Sequence, residues 1–195
     1  MSAGDPEEQV GGILLAAGTG SRFGEKNKLL VRIDGTPLVR LAAESLVASK
    51  VDPVVVVVGF QADRVRAALE GLTVEIVHNP DFRDGQATSV RTAVNAIRGR
   101  VDAAVFALGD MPFVEPQSID ALVSAYRAGE GDALAAAYDG ERGNPALLDR
   151  SHFDALVNLE GDIGGREILK ASGTLIETGD PGVRRDIDRP DDLPE

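Results

Sequence analysis

The 195-residue sequence predicts an α/β fold with a mainly parallel sheet, on three observations. Strand-like apolar runs alternate with helical patterns along the chain. Several of those runs are apolar at every position, as in strands covered on both faces. Hydrophobic residues make up 43% of the chain, enough for one substantial core, and no linker, repeat or low-complexity segment divides it. A single domain over residues 1–195 is expected, with 1–10 and 190–195 as flexible or surface tails.

The elements follow in order. Residues 12–17, GILLAA, read as a buried strand. Residues 36–49 read as a helix with Thr36 as cap and Pro37 in the first turn. The five consecutive valines of 53–59 mark a second buried strand. A short helix over 62–71 closes on Gly71, and a strand follows at 73–78. Residues 88–99 read as a helix with Thr88 or Ser89 as cap and Gly99 as stop. Then come a buried strand at 102–110, a helix at 116–129 and a strand at 132–138. Helices near 151–159 and 164–172 and a strand near 174–178 complete the chain. Ligands of such sheets sit at the carboxyl ends of the strands, which selects the loops 18–28, 59–61, 79–88 and 109–115.

Composition excludes several chemistries. There is no cysteine, and His78 and His152 are the only histidines, so thiolate catalysis and a multi-histidine metal site are not expected. The net charge of −12 repels nucleic acid and anionic membranes. Nineteen Asp and 13 Glu against 16 Arg and 4 Lys point to a halophilic source. The acidic first ten residues carry no apolar signal core, so a cytoplasmic location is expected. In this acidic chain, Arg22, Lys26, Lys28 and Arg32 face Glu25 alone between residues 22 and 32. A local excess of cations beside a glycine loop implies an anionic ligand; the plainer reading is a βα turn with surface cations.

The glycines read Gly18-x-Gly20-x-x-x-Gly24. A dinucleotide fingerprint needs a shorter spacing and an acid at the end of the second strand, where this chain has Gly59, Phe60 and Gln61. A P-loop needs Lys-Ser/Thr after its last glycine, and Gly24 is followed by Glu25. What remains is a flexible loop whose backbone amides can approach phosphate, an arginine able to clamp it and a lysine that adds a point charge. Asp110, at the end of the 102–110 strand, can hold Mg²⁺ beside a bound triphosphate, or cap a turn.

With these residues the sequence resembles the MobA-like nucleotidyltransferases: LLAAGTGSRFG, then KLL, then GTPLV. The Ala16-Ala17-Gly18 variant is most similar to molybdenum-cofactor cytidylyltransferases, since guanylyl members carry a second glycine in place of Ala17. The resemblance spans residues 12 to about 193. It implies a three-layer, Rossmann-like domain of the nucleotide-diphospho-sugar transferase type. The implied activity is transfer of CMP from CTP to molybdopterin, with pyrophosphate released. Guanylyl transfer, transfer to a sugar or alcohol phosphate, and a catalytically idle nucleotide-binding module are the alternatives. Contact with molybdoenzymes or their chaperones is implied as well.

The resemblance also implies roles. Ala16, Ala17, Gly18, Thr19, Gly20 and Ser21 wrap the triphosphate, with Arg22 and Lys28 on its β/γ end. Lys28 lies six positions after Arg22 where five is usual, so Lys26 stays open as the phosphate lysine. Arg22, Lys28 and Asp110 form the catalytic set. Asp110, in Gly-Asp-Met-Pro, corresponds to the Mg²⁺-binding aspartate; Asp188 is its partner, with Asp186 the second choice. Gly85, Gln86 and Ser89 fall near the nucleotide base, although Gln86-Ala87 departs from the family's Met-Ser. Asn144, in place of a usual histidine, and Gly164, Gly165 and Arg166 fall on the acceptor side.

Overall fold

The structure is a computed structural model that describes residues 8–19, 27–161, 169–170 and 173–193. Seven strands form one sheet: β1 (Val10–Ala16), β4 (Val54–Val58), β5 (Glu75–His78), β6 (Ala103–Leu108), β7 (Ala133–Tyr138), β8 (Glu141–Asp149) and β9 (Thr174–Glu177). A separate two-residue ladder joins β2 (Arg32–Ile33) to β3 (Thr36–Pro37). The sheet order is β5-β4-β1-β6-β8-β7-β9. All pairings are parallel except those of β8, which runs antiparallel to both neighbours. This matches the α/β expectation.

Strict alternation in the valine run explains its composition. Val54, Val56 and Val58 enter one core layer, whereas Val55 and Val57 enter the other. The first layer packs under helices α1 (Leu38–Val47), α2 (Ala62–Ala68) and α4 (Pro116–Arg127). The second packs under α3 (Gln86–Ile97) and α5 (Phe153–Val157), through Val90, Val94, Phe153 and Leu156. A residue that faces apolar side chains on either side cannot be polar without an unpaired group, so every position is valine. No described helix is long and apolar enough to cross a membrane.

Several boundaries differ from expectation, each for a local reason. Thr36 does not cap α1: it pairs with Ile33 in β3, Pro37 is the N-cap, and the Leu38 amide donates to Val31 O at 2.9 Å. Helix α3 starts two residues early, at Gln86, with Gly85 rather than Thr88 or Ser89 as N-cap. The Ala87 amide is already taken by Gly161 O at 3.0 Å. Helix α2 ends at Ala68, and the expected 151–159 helix divides into a 3-10 turn (Arg150–His152) and α5. Of the expected 164–172 helix only residues 169–170 are described, and they are helical.

The sequence reading lacked β8 altogether. Its Gly143-Asn144-Pro145 stretch reads as a loop, and proline is excluded from regular central strands. The strand tolerates it because the β7–β8 register shifts between Ala135 and Ala137, leaving Pro145 in an irregularity where no ladder amide is needed. The expected tails are anchored where described. Val10 is the buried first residue of β1, and Pro190–Asp192 form a 3-10 turn.

The sheet's switch point lies between β1 and β6. From β1 the chain steps outward to β4 and β5, then α3 carries it back to β6 on the other side of β1. A crevice opens at the carboxyl ends of two such strands, because their connections leave in opposite directions.

Candidate functional site

That crevice is a cavity of about 680 Å³. Its walls come from three places. Ala17, Gly18, Thr19 and Lys28 follow β1; Asp110 follows β6, joined by Asp188; Phe82, Arg83, Gly85, Gln86 and Ser89 belong to the β5–α3 connection and the start of α3.

Lys28 is placed by its neighbour. Asn27 is buried at 3% exposure, accepts the Leu29 amide on Oδ1 at 3.0 Å, and donates through Nδ2 to Phe60 O at 3.1 Å. It caps the 3-10 turn Lys28–Leu30 and ties it to the loop after β4. Leu29 is buried beneath, so Lys28 is turned into the crevice. Lys28 Nζ then lies 2.5 Å from Asp110 Oδ2 and 2.9 Å from Asp188 Oδ1.

Both carboxylates are held by backbone. The turn after β6 closes with the Gly109 amide on Leu15 O at 3.0 Å and the Met111 amide on Leu108 O at 3.2 Å. The Ile187 amide donates to Asp110 O at 2.9 Å, and Ile187 is fully buried, so the C-terminal segment is laid against the Asp110 turn. Asp192 Oδ2 accepts the Asp188 and Arg189 amides at 2.9 and 2.7 Å. Further back, Asp180 is 6% exposed and accepts from the Gly182 amide, the Glu115 amide and the Ser118 hydroxyl. It fastens the same segment to the start of α4.

Burial lowers the pKa of the Lys28 ammonium, but Asp110 and then Asp188 outweigh it and hold the value above that of an ordinary lysine. The lysine is therefore charged at neutral pH and keeps two carboxylates together that would otherwise repel. One cation already satisfies both acids. A divalent ion can take that place, because Mg²⁺ needs only one or two carboxylates when phosphates and water complete its shell. Among the described residues no group of three or more metal-binding side chains forms an alternative site.

Of the residues expected from sequence, Ala17, Gly18, Thr19, Lys28, Gly85, Gln86, Ser89, Asp110 and Asp188 line this one cavity. Ala16 does not: it is buried in β1 beside Val58. Asn144 lies on β8 and is not part of the lining. Gly20, Ser21, Arg22, Lys26, Gly164, Gly165 and Arg166 lie outside the described residues. The sequence reading missed Asn27, which sets the lysine, and Phe82 and Arg83, which form a cation–aromatic pair at 5.5 Å on the cavity wall. That pair lies in a loop the strand-end rule selects, so an Arg beside a Phe there was the available signal.

Comparison with known proteins gives the family. A family model described as MobA-like NTP transferase domain matches residues 12–176. Nicotine blue oxidoreductase of Paenarthrobacter nicotinovorans is 30% identical over 190 residues, covering 92% of each chain. Bifunctional protein GlmU of Thermus thermophilus is 33% identical over 149 residues, which is 76% of this chain and 33% of that one. The chain thus spans about a third of the length of GlmU. The crystal structure of Rv0371c from Mycobacterium tuberculosis H37Rv superposes with a TM-score of 0.78 at 26% identity, over 94% of this chain and 95% of that one. Rv0371c has also been solved in complex with manganese. The chain belongs to the MobA-like NTP transferase domain family and is an NTP-dependent nucleotidyltransferase.

Proposed function

We propose that the chain transfers CMP from CTP to the molybdopterin cofactor. The observation that carries this reading is the meeting of Lys28, Asp110 and Asp188 in one cavity with the Gly18–Thr19 backbone. The terminal phosphate of the acceptor, already ionised, attacks the α-phosphorus of CTP. The bond from that phosphorus to the bridging oxygen breaks, and pyrophosphate leaves with the electron pair. No general base is required. The chain aligns the two phosphates and neutralises charge.

Asp110 and Asp188 would hold Mg²⁺, which when bound supplies positive charge to the phosphates. Lys28 has a double part. Its ammonium keeps both acids neutralised before substrate arrives, and turning it onto the β/γ-phosphates frees them. Arg22 would act on the same phosphates. The CTP preference is supported by Ala17, which is among the lining residues of the cavity and stands where guanylyl relatives of this family have glycine. The oxidoreductase name of the Paenarthrobacter relative is not carried over: β4 is followed by Gly59-Phe60-Gln61, without the acid that would hold a dinucleotide ribose.

Pyrophosphate release in high salt tests this, with each of the four NTPs against a molybdopterin-containing extract and against sugar 1-phosphates. Release with CTP and molybdopterin is expected. Release with GTP would move the assignment to guanylyl transfer. Sugar-phosphate dependence, which the GlmU similarity favours as the second reading, would change the acceptor. Nucleotide binding without release under any pairing would leave a binding module.

A further inference from the structure

Asn79, which follows β5, is a polar side chain at 1% exposure and has no place in the chemistry above. Its Oδ1 accepts the Asp81 amide at 3.0 Å. A backbone amide can only donate, so this contact fixes which end of the side chain is oxygen. Nδ2 therefore faces two hydroxyls, Thr88 Oγ1 and Ser89 Oγ, each at 2.9 Å. An amide NH₂ group can only donate, so both hydroxyl oxygens must accept and each must direct its own proton elsewhere. Thr88 directs its proton to Gly85 O at 2.8 Å or Asp81 O at 3.0 Å. Ser89 is buried at 6% exposure and lines the cavity, and no acceptor for its proton is found among the described residues.

We propose that Asn79 is a positioning residue that makes Ser89 an obligate hydrogen-bond donor to the nucleobase of the bound NTP. The proposal rests on the nucleotide reading above and adds a polarity to it. The base must present an acceptor, a carbonyl oxygen or an unprotonated ring nitrogen, at the Ser89 position. A base edge that presents N–H there would meet a second donor and be rejected.

Asn79→Asp separates this role from simple support. One carboxylate oxygen can still accept the Asp81 amide, but the other can only accept, so it draws the Ser89 proton away from the cavity. Dissociation constants would be measured by calorimetry for the best-binding NTP and for tripolyphosphate, which has no base. The expected result is an NTP affinity about tenfold weaker with tripolyphosphate affinity unchanged. Ser89→Ala should show the same split, and the double variant should be no weaker than Ser89→Ala alone. Equal losses for both ligands, additive losses, or wild-type NTP affinity in Asn79→Asp would each overturn the proposal. If Asn79→Asp does not fold, Ser89→Ala carries the test, and retention of NTP affinity there overturns it. A wild-type protein that binds no NTP more tightly than tripolyphosphate would remove the nucleotide reading itself, a result distinct from those.

Discussion

Replacing Asp180 by alanine should show how the Asp188 segment is held. The carboxylate sits at 6% exposure with three donors on it: the Gly182 amide at 2.7 Å, the Glu115 amide at 2.9 Å and the Ser118 hydroxyl at 2.8 Å. The hydroxyl can rotate to another acceptor. The two amides are fixed by backbone and cannot. Each buried donor left without a partner costs about 1–3 kcal/mol, so the expected loss is about 2–6 kcal/mol. Asp180→Asn should lose about half as much. It keeps one oxygen for the Glu115 and Ser118 donors but turns an NH₂ toward the Gly182 amide. Urea unfolding, with midpoint and slope compared across the two variants, measures this. Because Asp180 and Asp188 lie on one C-terminal segment, metal affinity in the presence of NTP should fall in the same order. An Asp180→Ala protein within about 0.5 kcal/mol of wild type would refute the reasoning, since that is the range of an ordinary surface substitution.

Two further changes probe other parts of the molecule. Gly85→Ala should cost about 1–3 kcal/mol from backbone strain alone, because φ +108° with ψ 166° is a region essentially reserved for glycine. Its Cβ would also strike the Gly161 backbone, so thermal melting should fall together with NTP affinity, and wild-type values of both would contradict the assignment. Tyr126→Phe should cost about 1.5–3 kcal/mol at neutral pH by removing the 2.6 Å bond to Asp149. Burial pushes the Asp149 carboxyl up, but the Tyr126 hydroxyl and the Ser151 amide outweigh it and hold it below the usual value. A carboxyl depressed in the folded state stabilises above its unfolded pKa near 3.9 and loses that contribution as pH falls through the lower, folded value. The gap between variant and wild type should therefore narrow below about pH 4, and a constant gap in urea midpoints at pH 7 and pH 3 would contradict it.

The sheet and the meeting of side chains at its strand ends were legible in the sequence for one reason. Valine runs and strand-end loops are local signals, and the switch-point rule converts them into a location. Lys28, Asp110 and Asp188 are separated by up to 160 positions, yet each is adjacent to a local marker: a glycine loop, a strand end, an acidic triplet. What stayed hidden depends on partners in other elements of the fold. Asn27 matters because of Phe60, Asn79 because of the α3 hydroxyls, and Asp180 because of α4, and none of those pairings is marked in the chain. Strand β8 was hidden because its proline is accommodated by an irregularity in its pairing with β7, which a reading of one strand at a time cannot anticipate. The caps of α1 and α3 went to backbone partners, Val31 and Gly161, so the nearby hydroxyls that looked like caps were left for other uses.

The central claim is that Lys28, Asp110 and Asp188 together receive a metal-bound triphosphate. Manganese titration followed by electron paramagnetic resonance, with and without CTP, tests it on the wild type and on Asp110→Asn. The account predicts that the wild type immobilises manganese when CTP is present and that Asp110→Asn loses this while remaining folded. Equal manganese immobilisation by the two proteins with CTP would contradict it.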